Sequence, residues 1–290
     1  RGLRQCLVVR QASCRQSAKL VVVGQSCEPG TVRAVLKVKP SAIMPATDIL
    51  ALPISLDAWH VDAIRLTIFY GITPQGPFLK LKEIWDQLKL PEPTTQIQVA
   101  EQQLTQIQGE IVNNIIVVLI GQPGQIHLHM HKPRFALTWA SGTELIKSFG
   151  SLLFNSVSSQ GGLATRVAMG CKAGLPSKSR EHSYRQLAAL LPGIEVDESS
   201  CDFFYRVNRR YPDAGAPIAG VYLNRLSTWA AIVVNTLPTD ASEVVHFATV
   251  ELDCSTPGDS IGGWNAAVCS EIALRLLKVS EPILTNGHKG

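Results

Sequence analysis

The chain has 290 residues, 46% apolar and 17% charged, with a formal net charge of +4, the balance of an ordinary globular protein. The positive charge sits at one end: residues 1–43 hold eight Lys or Arg against Glu28 alone, and the remainder is net acidic, without the excess basic charge that attracts phosphate backbones. Seven Cys with no CxxC pair exclude a disulfide scaffold and a zinc site of that type, and no apolar run reaches the roughly 18–20 residues of a membrane helix.

Residues 1–43 show no sustained helical or strand period. They read as a leader, either unstructured or not native coding sequence. Their Arg and Ser content with a single acid makes a transit peptide the rival reading. Coherent patterning starts after Met44, the first methionine. From there the chain divides into a first α+β half, 44–160, and a second, 161–290. No Asn-x-Ser/Thr acceptor occurs, which fits a cytoplasmic protein.

In the first half, Val61–Tyr70 alternates, with Ile64, Leu66 and Ile68 on one side, and predicts a strand. Leu81, Ile84, Trp85 and Leu88 fall at i, i+3, i+4 and i+7, a helix face that Pro91 ends. Thr95–Ile111 is Gln-rich and reads as one long strand or two short ones. Asn113–Trp139 reads as a three-strand meander. Ile115–Ile120 is an unbroken apolar run, the mark of a strand buried on both faces. Gly121-Gln-Pro-Gly124 supplies the reversal. Gln125–His131 then alternates strictly, and Phe135, Leu137 and Trp139 resume the alternation beyond Pro133. The expected core is Ile116, Val118, Ile126, Leu128, Phe135, Leu137 and Trp139, packed against Trp85 and Phe149. Ser141-Gly-Thr-Glu144 has capping-box spacing, ahead of a helical stripe through Leu145, Ile146, Phe149, Leu152 and Leu153.

The second half repeats the order. Leu163–Met169 reads as a strand, and Tyr184, Leu187, Ala188 and Leu191 as a helix face closed by Pro192-Gly193. Strands are expected at Cys201–Tyr211, Val221–Leu226, Trp229–Val234 and Val244–Leu252. Trp264, Val268, Ile272 and Leu276 mark a last helix. Each half is thus β-α-β-β-β-β-α, an internal duplication. The fold class is α+β with a mostly antiparallel sheet and helices packed on one face. Over residues 61–278 this order resembles the duplicated saddle of the TATA-box-binding protein fold. The resemblance lies in element order, with no residue motif, so it implies an architecture. That family binds DNA through aromatic wedges on a basic concave face; the acidic globular part here does not match that, and nucleic acid is not an expected partner of residues 44–290.

Four groups of residues carry possible chemistry. His127, His129 and His131 share one strand face, where neighbours i and i+2 stand about 6.6 Å apart. His127 and His129 could converge on one divalent metal, given a further ligand such as Glu110; otherwise the three form the wet face of a half-buried strand. Phe204, Arg206, Asn208 and Arg210 alternate on one face and are the candidate ligand-binding stripe, since Arg offers paired donors to an anion or peptide; otherwise they form a solvated sheet face with Arg over an aromatic. Glu251, Asp253 and Asp259 lack a visible His or Arg to tune them as acid and base, and read as a solvent edge. Cys171, Cys201, Cys254 and Cys269 read as small buried hydrophobes. P-loop, Rossmann, GxSxG, HExxH and EF-hand signatures are all absent. The expectation is a soluble non-enzymatic binding or protein-interaction module of unknown ligand, without cofactor or membrane; its partner is unknown, with another protein as the candidate. The alternative is a metal-dependent enzyme using the His-x-His pair.

Overall fold

In the computed structural model the described residues are 52–71, 79–99, 104–196, 202–212, 222–235, 244–258 and 263–290. Residues 1–43, Cys201 and Asp259 therefore lie outside them. The alternation from Val61 forms β1 (His60–Tyr70), whose Ile64, Leu66 and Ile68 are fully buried. The helical spacing after it forms α1 (Leu81–Gln87), which buries Leu81, Ile84 and Trp85. The Gln-rich stretch is two strands, β2 (Thr95–Val99) and β3 (Leu104–Ile111). The meander supplies β4 (Ile115–Gln122), β5 (Gln125–His131) and a two-residue β6 (Leu137–Thr138). α2 (Trp139–Ser159) completes the first half. The second half comprises β7 (Ala164–Ser177), α3 (Arg180–Leu190), β8 (Phe204–Pro212), β9 (Tyr222–Asn235), β10 (Val244–Ser255) and α4 (Ala266–Asn286).

All ten strands join one antiparallel sheet in the order β2-β3-β4-β5-β1-β7-β10-β9-β8, with β6 also on β1. The two halves meet at the centre, where β1 pairs β7 from Tyr70–Ala164 to His60–Gly174. The four α-helices among the described residues cover one face. Trp85, Ile146, Leu153, Phe154, Leu187, Ile272 and Leu276 belong to one continuous core with Leu66, Leu128, Val167 and Val250 of the sheet. None of the helices among the described residues is long and apolar enough to cross a membrane.

Four details differ from the sequence reading. Phe135 is buried but lies outside the core with Trp85: its ring stacks on Phe247, centroids 4.5 Å apart, over the bare backbone of Gly174 on the side of the sheet away from the helices. The other three also have physical reasons. The third strand of the meander stops at Thr138. Arg134 and Phe135 take positive φ (66° and 55°) and turn the chain. Thr138 then caps α2, its Oγ1 accepting from the Ser141 N–H at 3.1 Å. Trp139, 3% exposed, is therefore the first residue of a helix, and the cap lies three residues before the expected capping box. In β4 the core-facing residues are Val117 and Leu119, while Ile116 and Val118 point to the helix-free side. An unbroken apolar run has no alternation to mark its inner face; pairing with β5, Val117 to Met130 and Leu119 to Leu128, decides it. Finally, β9 runs unbroken through Ser227 and Thr228, so the second half has three strands after its first helix. The buried Ser227 hydroxyl accepts from the Trp229 indole N–H at 3.0 Å, which keeps a polar residue acceptable inside a strand.

Candidate functional site

With the helices on one side, the residues that alternate away from the core collect on the other. β5 contributes His127, His129 and His131, all half-buried. Their cross-strand partners on β1 are Thr67, Arg65 and Ala63. β7 sets Ala168, Gly170 and Lys172 against the same three residues of β1. β10 follows with Glu251 opposite Lys172 and Asp253 opposite Gly170. β8, last in the sheet, ends the face with Phe204, Arg206, Asn208 and Arg210, paired to Ala230, Thr228, Leu226 and Asn224.

The histidine row lies in the middle of the sheet. His127 Nδ1 and Thr67 Oγ1 share a hydrogen bond of 2.9 Å. The His129 and His131 rings are tilted at 55° with centroids 5.2 Å apart. Burial, then Arg65 and His129, push the His127 pKa down to about 4. Burial, His131 and Arg65 lower that of His129, while Asp62 opposes them. Both imidazoles are thus uncharged at neutral pH. Glu110 pairs with Ile116, and Ile116 with His131, so it stands two strand spacings away and level with His131, not with the His127–His129 pair. Among the described residues no three His, Cys, Asp or Glu side chains gather as a metal would require.

The lowered His127 pKa makes stability depend on pH. The folded protein keeps this imidazole neutral down to about pH 4, whereas the unfolded chain takes up the proton near pH 6.5. Between these values the unfolded state binds more protons. The contribution is complete above about pH 6.5 and is lost as pH falls through about 4. Replacing His127 by Gln is expected to flatten this acid limb. Urea midpoints at about pH 7.5 and pH 4.5 measure it: the wild type should lose more than the variant over that interval.

The four residues of β8 do share one face. Phe204 is 62% exposed, and Arg210 lies over the Tyr222 ring, 4.3 Å from its centroid. The intervening Arg209 points away and donates to the His288 carbonyl at 2.7 Å. Glu251 and Asp253 also share the helix-free face, but β10 lies between β7 and β9 and is not a solvent edge. Cys171, Cys254 and Cys269 are buried. Burial raises all three thiols, Cys254 to about 11 and Cys269 to about 12, the environment of an inert thiol.

Sequence reasoning missed the residues that complete the centre of this face. Asp62, Arg65, His129, His131, Lys172 and Glu251 line a cavity of about 290 Å³, and Lys172 Nζ lies 3.3 Å from the Asp62 carboxylate. Arg65 and Thr67 are the polar alternates of β1, a segment whose apolar side alone marks it in the sequence. Gly170 and Lys172 lay beyond the expected end of β7. Comparison with protein-family models and with curated proteins finds no match.

Proposed function

We propose that the protein is a non-enzymatic binding module that takes an acidic segment of another protein on the helix-free face of its sheet. The supporting observation is the β8 row: an exposed phenyl ring and two guanidinium groups aligned on a strand face that no helix among the described residues covers, on the last strand of the described sheet. Phe204 supplies an apolar anchor and Arg206 and Arg210 supply paired donors for carboxylates. β8 has a single neighbour, β9, among the described residues, so an extended partner could also pair with its backbone. The duplicated-saddle architecture belongs to the same proposal. Its support is the near-mirrored order about the centre, where β5 and β10 flank β1 and β7.

Selection of a random peptide library displayed on phage tests the binding reading. The selected peptides are expected to be rich in Asp and Glu and to bind the double variant Arg206→Glu, Arg210→Glu at least about tenfold more weakly, the direction like-charge repulsion dictates. Phe204→Ala should weaken them as well, with unchanged melting, because these side chains project from an open face. Selected peptides indifferent to all three substitutions overturn the assignment to β8.

A further inference from the structure

The cavity at the centre of the face lies two strands away from β8 and has a different chemistry. Its four charges balance, but only one pair is in contact. Lys172 and Asp62 are paired. Arg65 on β1 and Glu251 on β10 are both exposed, and neither makes an ion pair among the described residues. They face the same space from opposite walls. Gly170, between them on β7, leaves the floor bare: a Cβ there would stand 3.2 Å from a terminal nitrogen of Arg65, so the guanidinium lies over backbone where another residue would hold it off. His129 and His131 line the cavity beside Arg65.

We propose that this cavity binds a small zwitterion of the amino-acid type, its carboxylate on Arg65 with His129 and His131, and its ammonium on Glu251. A lone anion would face Glu251 and a lone cation would face Arg65; only a ligand carrying both signs matches both walls. Burial, His131 and Arg65 lower the His129 pKa, which favours the neutral ring as an N–H donor without a further positive charge. A volume of about 290 Å³ falls at the bottom of the range for ligand pockets, about 300–1,000 Å³, and suits a metabolite of this size. The proposal does not rest on peptide binding at β8.

The test titrates the full chain with each of the twenty L-amino acids, by calorimetry and by following the His129 and His131 ring signals in NMR spectra. Any binder is then compared with its deaminated acid and its decarboxylated amine. At least one amino acid is expected to bind and shift both ring signals. Arg65→Gln and Glu251→Gln should each weaken it at least tenfold, and so should removal of either charge from the ligand. The β8 variant Arg206→Glu, Arg210→Glu should bind it as the wild type does, which separates this site from the peptide surface. Arg65 and Glu251 are exposed, so their substitution leaves the core intact. The proposal is overturned if no amino acid shifts the two histidines, if the deaminated acid binds as tightly, or if binding survives both cavity variants.

Discussion

Trp59→Ala is expected to lower the unfolding free energy by about 3–5 kcal/mol, the usual cost of removing a large aromatic from a core. Trp59 precedes β1 and is wholly buried. Its indole N–H donates to the Leu284 carbonyl at 3.0 Å, in the last turn of α4, where carbonyls have no partner within the helix. Nearby, the Ile54 N–H donates to the Thr285 carbonyl at 2.9 Å. The residue thus ties the start of the first strand to the end of the last helix. The variant loses the packing and also leaves a carbonyl orphaned. Trp59→Phe separates the two contributions: it keeps most of the apolar ring and should forfeit the hydrogen bond, worth about 1 kcal/mol, together with the smaller volume. Urea unfolding of the three proteins decides it. An alanine variant within about 1 kcal/mol of wild type would mean that the contact with α4 contributes little.

Gly287→Ala should cost on the order of 3 kcal/mol, the upper end of what such backbone strain costs. Gly287 follows α4 with φ 72° and ψ −161°, a conformation essentially confined to glycine. A Cβ at this position would stand only 2.0 Å from the Leu190 carbonyl oxygen, which belongs to α3 and cannot move as a flexible side chain would. The neighbouring His288 is buried; its Nδ1 lies 3.4 Å from that same carbonyl, and its own carbonyl accepts from Arg209. One methyl group therefore disturbs the junction of α3, β8 and the tail of α4. Thermal and urea melts read the effect. Unchanged melting of Gly287→Ala would show that this turn is not held in the glycine-only conformation.

Much of the fold was legible because its periods are local. Ile126, Leu128 and Met130 alternate with His127, His129 and His131, and such a pattern assigns both faces of β5 before any neighbour is known. Leu81, Ile84 and Trp85 declare a helix face in the same way. The stripe at Phe204, Arg206, Asn208 and Arg210 was readable for the same reason: a strand sends every second residue to one side. Composition alone also located the basic charge in residues 1–43 and left the remainder acidic.

The limits are equally physical. Ile115–Ile120 carries no alternation, so its inner face depended on register with β5. Ser227 looked like a break because its partner, the Trp229 indole, is recognised only once both are placed. Thr138 outcompeted the capping-box Ser141 because positive φ at Arg134 and Phe135 turned the chain early. The central cavity is the clearest case. Asp62, His129, Lys172 and Glu251 are far apart along the chain and come from four strands. Each is an ordinary polar alternate in its own segment. Strand pairing across β5, β1, β7 and β10 brings them around one cavity, and long-range register of that kind is written in cross-strand pairs, not in any stretch of sequence that could be read alone.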